Sequence, residues 1–198
     1  MDLAPLAGIP VGVALAAACG FRVFVPLLAL GIAGRTGTLA LAPGFAWLTT
    51  DAALLAFATA TLVEIAAYHV PLLDHLLDAL AAPGAVLAGT IASAAVLVDQ
   101  PPLLRWTLAV VAGGGAAGVV QAATTLSRVG SAALTGGLGN PVVATVELVA
   151  AVGTVALALT VPVLALVLVA MLCAAIVRAS RRTLGRRRRP AAGVAPPR

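Results

Sequence analysis

TATLVEIAAYHVPLLDHLLD, residues Thr59 to Asp78, is the stretch whose reading decides the fold. It sets Glu64 inside an apolar run, and with Asp74 and Asp78 it holds three of the chain's seven acidic residues. An ionisable side chain in hydrocarbon costs roughly 2.5–3.5 kcal/mol on insertion scales, so Glu64 requires a polar partner or a function. At helical spacing Glu64, Tyr68, His75 and Asp78 fall close to one stripe, which Pro71 would bend. The pattern implies a polytopic membrane protein with a polar interior. It names no substrate.

The rest of the chain agrees. Its 198 residues are 62% hydrophobic and 10% charged, with a mean hydropathy of +1.11, whereas a soluble domain carries about 25% charged residues. Charge is divided sharply. Residues 1–177 hold Arg22, Arg35, Arg105 and Arg128 against all seven acids, and residues 178–198 hold eight arginines and no acid. This predicts a transmembrane helical domain over 1–177 and a disordered, cytoplasmic Arg-rich tail over 178–198. In a membrane protein the basic tail is explained by topology and by anionic lipid headgroups, not by nucleic acid. The chain has no lysine and 12 arginines, a hint of a GC-rich bacterial genome. Cys19 and Cys173 sit in apolar runs with no metal or redox spacing and read as small buried residues. No basic region precedes the first apolar run, so a retained first span is expected rather than a cleaved signal.

Taken in order, Ile9 to Ala33 is long enough for one crossing, with a GxxxG pair at Gly8 and Gly12 and a break or bend signalled by Gly20, Arg22 and Pro26. Gly37 and Pro43-Gly44 mark a loop, Phe45 and Trp47 suit an interfacial anchor, and Asp51 is the expected N-cap of a second span from about Ala52 to Val70. Beyond Pro71 the leucines lie on one face and Asp74, His75 and Asp78 on the other, an amphipathic surface segment that Pro83-Gly84 is expected to break. Ala85 to Val98 is a short third span, and Leu103 to about Thr125 a fourth that Gln121 and Arg128 end. A Gly-rich loop is expected from Gly130 to Asn140. Pro141 to Val177, far longer than one crossing needs, resolves into two spans at Thr160-Val161-Pro162. The result is an all-α bundle of about six spans, with both termini cytoplasmic; a five-span alternative moves the N-terminus outside. The likeness of Ala60–Glu64 to Ala144–Glu147 allows an arrangement of two inverted three-span halves.

The segments Ala17-Ala18-Cys19-Gly20-Phe21-Arg22-Val23-Phe24-Val25-Pro26, Leu41 to Leu48 and Gly136-Gly137-Leu138-Gly139-Asn140-Pro141 resemble a family of bacterial integral membrane proteins known as domain of unknown function 4126. The resemblance covers nearly everything before the Arg tail. It implies a multi-pass protein of the bacterial inner membrane and brings no activity, so no functional residue is carried over.

Function is therefore read from chemistry. The candidate site residues are Arg22, Glu64, Tyr68, Gln121, Asn140 and Glu147, with Arg22 expected to approach Glu64 first and Glu147 second because an unpaired guanidinium at that depth is too costly. The bland alternative is an ion pair that only fixes packing; the functional one is a carboxylate that titrates or binds a cation. Asp74, His75 and Asp78 read as a solvated face or an incomplete metal site. No organic cofactor is implied, and whether a metal binds is left open. These features point first to a small-solute or ion transporter, then to a non-transporting assembly or lipid-interacting protein, and last to an intramembrane enzyme, for which no nucleophile and base with an orienting group appear together. Glycine faces offer a route to a homo-oligomer.

Overall fold

The computed structural model describes residues 8–68 and 71–187, and side chains over 8–68 and 80–182. Among the described residues every regular element is helical: α1 (Gly8–Cys19), α2 (Phe24–Arg35), a 3₁₀ turn (Ala46–Thr49), α3 (Asp51–Ala67), α4 (Pro71–Val96), α5 (Pro102–Leu108), a π-helical segment (Ala109–Gly114) leading into α6 (Gly115–Thr135), α7 (Asn140–Thr160) and α8 (Pro162–Arg187). The all-α membrane class holds. Pro102–Thr135, Asn140–Thr160 and Pro162–Arg182 are long and apolar enough to cross a membrane, while α1, α2 and Leu80–Val96 are apolar but shorter.

The run expected to cross once as Ile9 to Ala33 instead doubles back. Twelve-residue α1 rises only about 18 Å, and the chain turns at Gly20–Val23. The amides of Gly20 and Phe21 donate to the Ala17 and Ala18 carbonyls at 3.0 Å, which closes α1 in a tight last turn. Pro26, in the first turn of α2, has no amide to satisfy. That α2 returns beside α1 is shown by one cavity lined jointly by Gly8, Val11, Thr38, Leu39, Val96 and Pro162. The first span is thus a helical hairpin whose tip is residues 20–23.

The hairpin adds an out-and-back excursion, so it changes the parity of the fold. From the Arg35–Asp51 pair at its start to Glu64 beside Val23, α3 runs antiparallel to α2. Then α4 returns, with Gly84 facing Val23 and Val96 facing Gly8. At the far end of the sequence, α7 and α8 form an antiparallel hairpin about Val161: Ala150 shares a cavity with Leu172, and Leu157 with Ala165. Pro162 lies at the level of Gly8, whereas Ile176 lies beside Glu147. Among the described residues, Gly8 and Arg182 therefore lie at opposite ends of the bundle, while the termini expected to share one side fall outside the described residues.

The core is built around α1 rather than around the Glu64 helix. Ala14 to Cys19 are all completely buried, and α1 packs on α4, α6, α7 and α8. Alanine and glycine allow this. Without a hydrophobic drive between helices in lipid, association depends on close van der Waals approach, which small residues permit. A Cβ at Gly20 would stand 2.5 Å from the Ala117 carbonyl oxygen, and one at Gly89 2.6 Å from the Ala117 Cβ. Gly8 and Gly12, the GxxxG pair, face Val96 and Ser93 of the same chain. Cys19 is buried in this core, and both cysteines are free.

Four local expectations are corrected. The helix does not break at Pro83-Gly84, since α4 runs through Pro83 to Val96; in apolar surroundings losing one backbone hydrogen bond costs less than exposing several. Nor does α6 end at Arg128: it continues to Thr135 and stops at Gly136 and Gly137, both at positive φ, which shortens the expected Gly130–Asn140 loop to one glycine-rich turn. The N-cap of α3 is Thr50, whose hydroxyl accepts from the Ala53 amide at 3.3 Å, and Asp51 is instead the first helical residue, paired with Arg35. Phe45 is buried and only Trp47 of that pair is exposed.

Candidate functional site

Four elements converge on the hairpin tip. The break between α1 and α2 carries Arg22, α3 brings Glu64 and Tyr68, α6 brings Arg128, and α7 brings Glu147, all buried. Arg22 donates from Nη2 to the Ala144 carbonyl oxygen at 2.6 Å and lies 3.8 Å from Glu147 Oε2. The guanidinium of Arg128 grips Glu147 with both ends, Nε to Oε1 at 3.1 Å and Nη2 to Oε2. Forked pairing of this kind fixes orientation as well as charge. Both guanidiniums also meet the ring of Tyr68, with Arg22 Cζ 4.2 Å and Arg128 Cζ 3.7 Å from its centroid. The quadrupole of a desolvated ring attracts each cation.

Glu64 does something else. Its Oε1 accepts from the Val23 amide at 2.8 Å and its Oε2 from the Phe24 amide at 3.2 Å. A carboxylate 41 positions away thus performs the cap that Val23 cannot make with its own side chain, and it meets the positive end of the α2 dipole. Arg22 therefore approaches an intramembrane acid, but the second expected partner, Glu147, and not the first. The reason is the reversal of the chain. Once the tip turns, the backbone amides of Val23 and Phe24 face α3, and the Arg22 side chain reaches across to α7.

Of the other candidates, Gln121 is buried on α6 with its amide nitrogen 3.4 Å from Thr125 Oγ1, outside the charge cluster. Thr124, on the same helix, links to the tip through the Gly20 carbonyl oxygen at 3.5 Å. Asn140 is buried at the start of α7, one turn before Ala144. Asp74, His75 and Asp78 fall in the part of α4 whose side chains lie outside the described residues. Among the described residues no cluster of His, Cys, Asp and Glu could hold a metal ion. Arg128 is the residue that sequence reasoning missed. It had a signal, because Gln121, Thr124 and Arg128 recur at i, i+3 and i+7 as a buried polar stripe.

Two apolar cavities flank the cluster. One of about 280 Å³ is lined by Val23, Phe24, Val63, Glu64, Tyr68 and Gly84. The other, about 410 Å³, lies among α6, α7 and α8 and reaches Glu147. Within the cluster, Arg22 keeps two donor nitrogens, Nε and Nη1, with no hydrogen-bond partner among the described residues, although the residue is only 1% exposed. Buried donors left unmet cost about 1–3 kcal/mol each, so the tip holds hydrogen-bonding capacity that its own side chains do not use.

No curated protein and no solved structure matches the chain. A protein-family comparison does: residues 9–182, from α1 into α8 and including every residue of the tip cluster, match the domain of unknown function DUF4126, and the chain belongs to that family.

Proposed function

We propose that this membrane protein is a small-solute transporter with Glu64 as its proton site, seated in a bacterial cytoplasmic membrane with the Arg178–Arg182 end inward. The observation that carries it is the placement of Glu64 on the amides of Val23 and Phe24, at the tip of a broken helical hairpin and in the wall of a cavity. Broken helices that expose backbone groups within a bundle are how transporters build sites at membrane depth. A proton fits this carboxylate better than a metal cation, because its partners are the backbone N–H groups of Val23 and Phe24 and the neighbouring charges are the guanidiniums of Arg22 and Arg128, with no further acid among the described residues beside it to share a metal's charge. Protonation weakens both hydrogen bonds and frees the tip from α3.

A second reading has its own support. The Arg22, Arg128 and Glu147 contacts tie the tip to α6 and α7 in a closed arrangement, which would serve a non-transporting assembly protein equally well. Flux separates the two. In proteoliposomes with an inward proton gradient, a panel of small organic acids, amines and neutral solutes is followed beside a trapped pH dye. The transport reading expects proton-linked uptake that falls at least about 10-fold in a folded Glu64→Gln protein, the usual scale for losing a positioned proton-transfer group. Undiminished flux in that variant removes Glu64 as the proton site.

A further inference from the structure

We infer that the groove between α7 and α8 seats one acyl chain of an anionic phospholipid, whose headgroup rests on the arginines at the end of α8. Two apolar cavities make the groove. One of about 410 Å³ lies among α6, α7 and α8 at the level of Val142 and Ile176, and one of about 340 Å³ continues it to Leu157 and Ala165; Phe21, Ala150 and Leu172 line both. Small residues on α7 open it. A Cβ at Gly153 would meet nothing within 4 Å, and Ala150 adds only a methyl group, so α8 finds few side chains on α7 to pack against. Leu168 and Leu172 accordingly remain 47% and 38% exposed. From Ile176 to Ala165 the groove follows α8 for about 16 Å, close to the depth of one leaflet in a hydrocarbon core about 30 Å thick.

An apolar groove takes any acyl chain, and charge selects the headgroup. Arg178, Arg181 and Arg182 are exposed within two turns after Ile176, and their long stems let the guanidiniums reach to the phosphate level. Arg182 stands two heptads after Leu168, so it lies on nearly the same side of α8 as that wall of the groove. Among the described residues no exposed acid offsets these three charges at this end. Asp51 pairs with Arg35, and Asp99 lines a cavity with Gly8 and Pro162, both at the other end of the bundle, while Glu64 and Glu147 are buried. Each arginine beside an anionic headgroup is worth roughly fivefold in binding. The groove also backs onto the polar cluster, because Phe21 directly precedes Arg22 and Glu147 lines the larger cavity. A seated chain therefore keeps water away from the Arg128–Glu147 pair on that side.

Native mass spectrometry of the full chain in a neutral detergent tests this with dioleoyl phosphatidylglycerol and dioleoyl phosphatidylcholine, which share their chains and differ in headgroup charge. One phosphatidylglycerol should bind saturably, at least about 10-fold more tightly than phosphatidylcholine. Changing Arg178, Arg181 and Arg182 together to Gln should bring the two lipids level. Ala150→Phe, which fills the groove and leaves the arginines alone, should weaken both by about 10-fold or more, while Leu62→Phe on the exposed face of α3 changes neither. Equal binding of the two lipids to the wild type overturns the inference. So does phosphatidylglycerol binding that survives Ala150→Phe, since the contact would then be an attraction at the surface that uses no groove. Should Ala150→Phe fail to fold, the wild type is photolabelled with phosphatidylglycerol carrying a diazirine at mid-chain. Adducts concentrated on Phe21 and on α7 and α8 between Ala150 and Leu172 support the seat, and adducts spread equally over α3 overturn it.

Discussion

At the end of the bundle where α1 begins, Arg35 and Asp51 form an ion pair whose side chains are 51% and 87% exposed. At the hairpin tip, Arg128 and Glu147 make the same kind of pair at 3% and 5% exposure. Water screens the first and makes each partner replaceable, so it is worth about 0–1 kcal/mol. The second has lost its hydration, and removing one partner strands the other, at about 3–5 kcal/mol. The surroundings differ in the same sense. Trp47 and Trp106 are exposed near the Arg35 end, as interfacial anchors are, while Arg178, Arg181 and Arg182 follow the tip end on α8. Identical chemistry is ornament at one end and a lock at the other.

The sharpest test of this polarity is all-or-none. In a chain lacking Cys19 and Cys173, single cysteines at Thr38 and Arg182 should react with an impermeant thiol reagent from opposite faces of the membrane, Thr38→Cys in intact cells and Arg182→Cys only after permeabilisation. Labelling of both from one face would remove the odd parity imposed by the hairpin. Next in size is Glu147→Gln, which takes the shared counter-charge from Arg22 and Arg128. Its thermal unfolding in detergent should show a loss of about 3–5 kcal/mol; a loss under 1 kcal/mol would mean that the two guanidiniums are satisfied elsewhere.

Glu64→Gln should fall between the extremes, at about 1.5–3 kcal/mol, because the amide oxygen still accepts one backbone N–H but the charge assistance is gone. A loss as large as that of Glu147→Gln would mean that Glu64, not Glu147, neutralises Arg22. Smallest is Asp51→Asn, within about 1 kcal/mol and vanishing in high salt. A larger, salt-insensitive loss would erase the contrast between the two ends.

Much of the fold was legible because it follows from composition and from residues that interrupt helices. Gly20 with Pro26 marked the break, Val161-Pro162 the last hairpin, and Gly37 and Gly44 the turns, which both adopt positive φ. The direction the chain takes after a break is different. Gly20 and Pro26 permit either a kinked crossing or a reversal, and the choice is made by what α2 meets, namely α3 through Gly31 and Leu54. Partner choice at the site follows from that reversal, which is why Arg22 was legible as paired but its partner was ranked wrongly. Pro83 misled for a related reason. Its propensity to end a helix is a property of the chain in water, overridden where the backbone has no other donors or acceptors. The likeness of Ala60–Glu64 to Ala144–Glu147 also gives no register for an inverted pair, since Glu64 lies close to the end of α3 and Glu147 close to the start of α7.

The central position of α1 has a consequence for biogenesis. It leaves the ribosome before any other described helix, yet α7 and α8, which help to enclose it, follow more than 100 residues later. Helices of 12 residues are too short to hold a place in the bilayer by themselves. The hairpin must therefore wait, shielded by the insertion machinery or resting at the headgroups, until the last pair arrives. Assembly closes from the outside inward, with the first-made segment sealed in last.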